Sequence, residues 1–315
     1  MILVTGGLGF IGLNTARALL DAGESCVLTR HRTARQPDFV RAELGRRVFI
    51  EHVDVSDASA LLELGRRHPI DGIVHLAGSA GTGPDLLDDL KTSVDSVLAV
   101  LRAARDWQVP RVSIASTVGV YHDVPGTPWR EDTPLSTTGV YPIEVMKKIA
   151  ELLGGLTAGH CGFEVVSLRI GGIWGPFGRP DSRFIGTPRM VNAAVDGEPV
   201  RFDPPRYAED GLDICYARDC GRAIALVQTA AKLNHRVYNV GSGRMTRNGE
   251  VADAVRAVIP DADIELAEGH DPRGPAGDQY LDITRLREDT GYRPEYDIAR
   301  AVRDYVDWLR TERQR

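Results

Sequence analysis

Three glycines, Gly6, Gly9 and Gly12, stand at three-residue intervals directly after the apolar run Ile2-Leu3-Val4 and at the head of an amphipathic stretch. Their chemistry is that of an anion cradle. Gly6 can take the positive φ of a tight turn, and Gly9 lets backbone N–H groups approach a pyrophosphate. Gly12 lets the following helix lie close on the strand, so that the anion meets the helix's positive end. The pattern G-x-x-G-x-x-G between a strand and a helix predicts a dinucleotide site, with Phe10 and Ile11 in the same turn. A second anion-binding candidate, Arg30-His31-Arg32, follows the next apolar run, Cys26-Val27-Leu28-Thr29, about where such a fold meets the adenosine ribose. An NAD site usually carries an acidic residue there, whereas guanidinium groups pair with the 2′-phosphate of NADP. NADP is therefore the expected cofactor, with NAD second.

The whole chain sets the frame for this site. Its 315 residues are ample for a buried core in one large or two closely joined domains, and 43% apolar with 26% charged residues is ordinary for a globular protein. A net charge of −6 argues against a broad nucleic-acid surface. No apolar run approaches the roughly 18 residues that a membrane-spanning helix needs, and Met1 leads straight into a strand, so a cytoplasmic protein with no membrane partner is expected. Cys26, Cys161, Cys215 and Cys220 show no C-x-x-C pairing, which predicts buried reduced thiols and no metal site.

Strand and helix patterns alternate from the N-terminus. Strands are expected at Val48 to Ile50, Ile73 to Leu76 and Val112 to Ala115. Helices are expected at about Ala58 to Arg67 and Leu87 to Trp107. Such alternation predicts an α/β fold: a Rossmann-type doubly wound parallel sheet with a smaller C-terminal α/β lobe. Residues 1–174 form the dinucleotide-binding domain, to which 212–240 return, and residues 175–211 and 241–315 form a substrate-binding lobe. Within the second half, Val165 to Ile170 and Leu212 to Ala217 read as strands, Asp219 as a helix cap, and Ile264 to Leu266 as a strand of the lobe. Asp297 reads as the cap of a final amphipathic helix. The region 175 to 211 is rich in Gly, Pro and Arg, as substrate loops are.

The chain resembles the extended short-chain dehydrogenase/reductase family, which includes nucleotide-sugar epimerases and dehydratases. The matching pieces begin with Thr5-Gly6-Gly7-Leu8-Gly9-Phe10-Ile11-Gly12, Asp54-Val55 and His75-Leu76-Ala77-Gly78. They continue through Ala115-Ser116-Thr117 with Val120-Tyr121, Glu131-Asp132-Thr133-Pro134, Leu168-Arg169 and Trp174-Gly175-Pro176. Tyr238-Asn239-Val240-Gly241 and Thr290-Gly291-Tyr292-Arg293-Pro294 complete the set. The resemblance implies that Asp54, Val55, Leu76, Ala77 and Gly78 line the cofactor. It also implies catalysis by a tyrosine that exchanges the substrate's hydroxyl proton. A lysine four residues on lowers that tyrosine's pKa and holds the nicotinamide ribose, and a Ser or Thr on the fifth strand orients the substrate oxygen. Thr117 stands in the last role.

The tyrosine–lysine spacing departs from that pattern. Tyr141 lies seven residues after Pro134, as the resemblance requires, but the residue four positions on is Val145, and the lysines are Lys147 and Lys148. On one continuous helix Lys147 would stand roughly 240° around from Tyr141. Either Tyr141 precedes the helix, with Pro142 at its first position and a two-residue insertion returning it over Lys147, or Lys147 still binds the ribose while the acid/base is absent or supplied by Tyr121 or His122. Under the first reading Thr117, Tyr141 and Lys147 are the catalytic residues.

The substrate motifs are also altered. Relatives that bind nucleoside-diphosphate sugars place Asn where this chain has Gly172, and Arg where it has Leu212. The expected substrate is therefore a smaller sugar-like or polyol-like molecule, held by Thr117, Tyr141, Gly172, Arg179 and Arg206, with Arg183, Arg189 and Arg201 as further anion ligands. Nucleotide-sugar epimerase or dehydratase, and a cofactor-binding sensor without chemistry, are the alternatives. Apolar stripes on the helices near Leu87 to Trp107 and Pro142 to Thr157 resemble the pairing helices of a homodimer.

Overall fold

The computed structural model describes residues 1–31, 35–78, 85–182, 184–274 and 277–311. Strand and helix alternate through β1 (Ile2–Thr5), α1 (Phe10–Asp21), β2 (Cys26–Arg30), α2 (Asp38–Glu43), β3 (Val48–His52), α3 (Ala58–Arg67), β4 (Gly72–His75), α4 (Leu86–Asp106) and β5 (Arg111–Thr117). A 3-10 turn, η1 (Val118–Tyr121), then leads to α5 (Pro142–Cys161), β6 (Glu164–Ile170), β7 (Gly172–Trp174) and α6 (Thr187–Asp196). The chain continues through β8 (Gly211–Leu212), β9 (Ile214–Tyr216), α7 (Ala217–Thr229) and β10 (Val237–Val240). It closes with β11 (Thr246–Arg247), α8 (Asn248–Val258), α9 (Thr284–Thr290) and α10 (Ile298–Thr311).

Seven strands form one parallel sheet in the order β10-β6-β5-β4-β1-β2-β3. Its inner strands are apolar on both faces because helices cover both. On one face Leu13, Ala16 and Leu19 of α1 pack with Ala223, Ile224 and Val227 of α7. On the other, Leu61 and Leu64 of α3 join Val97 and Val100 of α4 and Ala150 of α5. Aspartates start two helices of the second face, α3 and α4: Asp57 accepts from Ser59 and Ala60 N–H, and Asp85 from Leu87 and Asp88 N–H. A third core gathers Met190 and Val191 of α6, Val251 and Val255 of α8, and Val302, Tyr305 and Val306 of α10 around Trp174. Asp297 caps α10 by accepting from Arg300 N–H.

Cys26, Cys215 and Cys220 are buried, whereas Cys161, near the end of α5, is exposed, against the expectation of buried thiols. Three local expectations of secondary structure are also corrected. Leu212 to Ala217 is not one strand: β8 pairs with β11 and β9 with β7, and Asp213 stands between them. The Asp213 carboxylate is buried and draws the chain inward, accepting from Ser242 N–H and Oγ–H, Gly243 N–H and Leu281 N–H. Asp219 does not cap a helix; it lies inside α7, where its buried carboxylate accepts from Glu295 and Tyr296 N–H and pairs with Arg222. Ile264 to Leu266 forms no strand. Val200 pairs with Ile264 and Tyr207 with Ala267 as single bridges, because Asp203-Pro204-Pro205 loops out between them and proline has no N–H to continue a ladder.

Candidate active site

The strand order reverses beside β1: its sequence successor β2 lies on one side and β4 on the other, which opens a crevice at their C-terminal ends. Gly6 ends β1 with φ +65°, and a Cβ there would stand 3.1 Å from Ala77 N across the crevice. A Cβ on Gly12 would fall 2.2 Å from Gly6 O, so only glycine lets α1 begin this close to β1. Gly9 N–H donates to Gly6 O at 2.9 Å and fixes the turn. The first turn of α1, Phe10, Ile11 and Gly12, has no acidic residue and no side-chain cap, so its N–H groups remain for an anion. A dinucleotide's diphosphate fits this cradle, which any side chain would fill.

Buried polar groups fix the crevice walls. Thr5 Oγ1 accepts from Leu76 N–H (3.1 Å) and Ala77 N–H (3.2 Å) and lies 2.8 Å from His75 Nδ1. The hydroxyl proton therefore points to Nδ1, and neutral His75 carries its own proton on Nε2. Burial, with a smaller contribution from the Lys147 charge, pushes His75 down to about 3. Lys147, on α5, reaches this place: its Nζ is 3.7 Å from where a Gly78 Cβ would be. It has no hydrogen bond or ion pair among the described residues, and burial pushes it down to about 8. An ammonium group held there without a counter-ion among the described residues matches a hydroxyl-rich ligand.

Along β2, Thr29 Oγ1 accepts from Gly6 N–H at 3.0 Å, and Arg30 ends the strand half-buried, with His31 exposed beyond it. Arg32 lies outside the described residues, as does Arg183. Asp54 accepts from Ser56 Oγ–H and N–H, which hold its carboxyl below the usual range, with a smaller effect of His31. Val55, Leu76 and Ala77 are half-buried, and Gly78 is exposed.

Thr117 ends β5, and its Oγ1 accepts from Gly119 N–H at 3.2 Å, which leaves the hydroxyl proton to donate. Tyr141 precedes α5 and Pro142 is the first helical residue, as the insertion reading requires; the helical phase of Tyr141 against Lys147 therefore does not apply. Glu144 holds this start, accepting from Val140 N–H (2.9 Å) and Tyr141 N–H (3.2 Å). The Tyr141 side chain is 50% exposed, and no hydrogen bond joins its hydroxyl to Lys147 among the described residues. Its ring meets His122 edge-on, with centroids 5.9 Å apart.

Tyr121 is removed as an alternative acid/base. It is 1% exposed, its hydroxyl donates to Asn239 Oδ1 (2.8 Å) and accepts from Arg169 Nη1 (2.9 Å), and burial pushes it up to about 12. Arg169 in turn makes a two-pronged pair with Glu151, which also accepts from Ser116 Oγ. Sequence reasoning missed Glu144, whose signal is an acidic residue in the first turn after Pro142, and the His75–Thr5 contact, which no local pattern announces.

Of the substrate candidates, Gly172 lies in β7, where a Cβ would come within 3.2 Å of Asp213 O and Ile185 Cγ2, so no longer side chain fits unchanged. Arg206 is half-buried beside Gly186, and its guanidinium and that of Arg189 both lie over Phe202. Arg201 is paired with Asp263 and Glu265, and Arg179 is exposed. The loop bearing Arg179 is tied to the cradle through Asn14 Nδ2, which donates to Pro176 O at 3.1 Å.

Residues 2–241 match the model of the NAD dependent epimerase/dehydratase family. The chain is 29% identical to a dTDP-glucose 4,6-dehydratase of Streptomyces griseus, over 99% of this chain and 94% of that protein. It also superposes on a UDP-glucose 4-epimerase from Thermus thermophilus in complex with NAD, with a TM-score of 0.78 and 25% identity over 99% of both chains. A UDP-glucose 4-epimerase from Thermotoga maritima with UDP-glucose gives a TM-score of 0.81 at 22% identity, covering 98% of each. With its glycine cradle, crevice lysine and parallel sheet, the chain belongs to the NAD-dependent epimerase/dehydratase family, enzymes of the extended short-chain dehydrogenase/reductase type.

Proposed function

We propose that this enzyme acts by hydride transfer at a hydroxyl-bearing carbon of a sugar-like or polyol-like substrate, with Thr117, Tyr141 and Lys147 as its catalytic residues. The observation that carries the reading is Lys147 Nζ standing at Gly78 in the crevice without a protein partner among the described residues. The nicotinamide, when bound, supplies hydride acceptance and return. The glycine turn holds the diphosphate and Lys147 holds the ribose hydroxyls. Thr117 donates a hydrogen bond to the substrate oxygen, and the exposed Tyr141 hydroxyl exchanges that oxygen's proton, helped by the Lys147 charge. Residues 1–174 with 212–240 serve the cofactor; residues 175–211 and 241–315 serve the substrate.

Gly172 and Leu212 favour a substrate without a nucleoside diphosphate, because an amide and a guanidinium are missing from the places that would bind one. The second reading, a nucleotide sugar, is supported by the substrates named for the relatives and by the paired guanidiniums of Arg189 and Arg206. Turnover and calorimetry with UDP-, GDP-, ADP- and dTDP-sugars beside free sugars and uronates separate the two. Micromolar binding of a nucleotide sugar, competed by its nucleoside diphosphate, establishes the second.

The cofactor is NADP in preference to NAD, on the strength of Arg30, His31 and Arg32. One retained charge-assisted contact to the 2′-phosphate contributes about 1.5 to 3 kcal/mol, so NADPH binds at least roughly tenfold more tightly than NADH in a fluorescence titration. Equal constants, or tighter NADH binding, remove this preference.

The enzyme is a cytoplasmic homodimer formed through α4 and α5. No helix among the described residues is long and apolar enough to cross a membrane. The apolar stripes divide: Val97, Leu101 and Ala150 are buried against the sheet, whereas Leu87 and Leu152 are each 75% exposed and Leu156 is 64% exposed. Burying a leucine contributes about 1.5 to 3 kcal/mol, so Leu152→Lys with Leu156→Lys converts dimer to monomer in sedimentation at micromolar concentration. A monomeric wild-type protein refutes the dimer.

A further inference from the structure

The last pair of the β1–β4 ladder sets Thr5 beside His75. Side chains alternate along a strand, so this pair shares a face with Leu3 and Ile73, the face that α3, α4 and α5 cover. Two polar side chains, both buried, thus stand where the pattern calls for apolar ones. A threonine hydroxyl has one proton to give and two lone pairs to offer. Thr5 Oγ1 accepts from Leu76 N–H at 3.1 Å and from Ala77 N–H at 3.2 Å, which takes both lone pairs, and its proton is left for His75 Nδ1 at 2.8 Å. Leu76 N–H also lies 3.3 Å from Thr5 O, whereas Ala77 N–H has Oγ1 as its one acceptor among the described residues. That Ala77 nitrogen is the atom a Cβ on Gly6 would approach to 3.1 Å, so the turn after β4 lies directly against the start of the glycine cradle. This wall of the crevice therefore hangs on one hydroxyl, and the hydroxyl keeps its direction only while residue 75 presents a bare acceptor at the position of Nδ1. A protonated Nδ1 would bring a third donor to Oγ1 and leave the hydroxyl proton buried without a partner. Burial and, less strongly, the Lys147 charge both act against a charged ring.

We propose that His75 is a positioning residue for the dinucleotide: its bare Nδ1 takes the Thr5 proton, so that Thr5 Oγ1 holds the Leu76 and Ala77 amides and keeps the turn that lines the crevice in register with Gly6. His75 acts through Thr5, and no proton leaves the ring. The inference goes beyond the catalytic reading above. It needs the dinucleotide in this crevice, and neither a particular substrate nor a particular acid/base.

Asparagine and glutamine separate the two ring nitrogens, because Asn Oδ1 stands near the place of Nδ1 and Gln Oε1 near that of Nε2. The full-length protein is titrated with NADPH and with NADH by fluorescence. His75→Asn binds the better dinucleotide within about threefold of wild type, whereas His75→Gln and His75→Leu bind it about tenfold or more weakly, as the loss of a buried hydrogen-bond partner implies. Thr5→Ser keeps the wild-type affinity, and Thr5→Val with His75→Leu loses no more than Thr5→Val alone, since the two side chains act through one bond. Hydrogen exchange at Ala77 N–H follows the same order, fastest where binding is weakest. In the wild type without cofactor, nitrogen NMR finds His75 neutral at neutral pH with its proton on Nε2. A ring that only fills space gives the opposite order, with leucine ahead of the shorter asparagine. A proton on Nδ1 of the neutral wild-type ring, wild-type affinity in His75→Leu, or rescue by glutamine and not asparagine overturns the proposal. The first of these needs no variant, so it decides even where a substituted β4 fails to fold. A wild type that binds neither dinucleotide overturns this proposal together with the placing of the cofactor, whereas binding without turnover overturns the hydride-transfer reading and leaves this one standing.

Discussion

Lys147→Ala and Tyr141→Phe each lower kcat/KM by on the order of 10²- to 10⁴-fold, the contribution of a positioned proton-transfer group, while Val145→Ala keeps most of the activity. The three variants separate the two readings of the spacing, because Val145 holds the position that an uninterrupted pattern gives to the lysine. On the proposed reading Lys147 serves the cofactor as well as the tyrosine, so its loss is expected also to weaken cofactor binding in a fluorescence titration, while Tyr141→Phe is expected to spare that binding. If Tyr141→Phe keeps the wild-type kcat, the oxygen's proton moves through His122, since Tyr121 is enclosed by Arg169 and Asn239. Lys147 also leaves a mark on stability. Burial lowers it from 10.5 to about 8, so between these values the folded protein releases a proton that the unfolded chain retains. The unliganded protein therefore gains stability from this group as pH rises through that window, and the charged lysine disfavours folding below it. Denaturant titrations from pH 7 to about 10 show a rise in the wild type that is smaller in Lys147→Met. Parallel curves for the two proteins count against a desolvated lysine.

Arg169→Ala destabilises the protein by about 3 to 5 kcal/mol, because it strands the Glu151 carboxylate away from water. The side chains of Arg169 and Glu151 are only 5% and 11% exposed, so solvent does not replace the lost partner. The same change removes the donor to Tyr121 Oη and to Glu131 O. In thermal unfolding the variant melts roughly 10 °C lower, on the scale of a few degrees per kcal/mol for a protein of this size. Replacing both members, Arg169→Met with Glu151→Leu, costs less than Arg169→Ala, since no charge is left buried. A melting temperature within one or two degrees of wild type for Arg169→Ala shows that water reaches the pair.

The cofactor half of this molecule was legible in the sequence because its determinants are local. Gly6, Gly9 and Gly12 act through a turn that spans only a few residues, and β1 to β5 announce themselves as short apolar runs between amphipathic helices. The acid/base region was legible only as two alternatives. The structure adds that Glu144 accepts the Val140 and Tyr141 amides and that the helix begins at Pro142, just after Tyr141, which agrees with one requirement of the insertion reading. Contacts between distant segments were not legible. Asp219 reads as a cap from its neighbours, but its carboxylate holds the amides of Glu295 and Tyr296, more than seventy residues on. Tyr121 reads as a spare acid until Arg169 and Asn239 close around it. The leucines of α4 and α5 cannot be divided between sheet and solvent by helical spacing alone, because one helix carries both kinds.

The Asp213 carboxylate bears on how such an enzyme can change its specificity. It joins β9 to Ser242, Gly243 and Leu281, and three of its four donors are main-chain N–H groups. Such a hinge pin needs only the path of the chain and no particular side chains around it. On the proposed division of the chain, mutations in residues 241–315 can therefore rewrite contacts to a substrate while the attachment of that segment at Asp213 persists. A single substitution, Asp213→Ala, has the opposite character: it leaves every lobe residue in place and loosens the mounting itself. Grafts that exchange residues 241–315 between relatives should then succeed or fail according to whether the carboxylate and the course of the chain around it are kept.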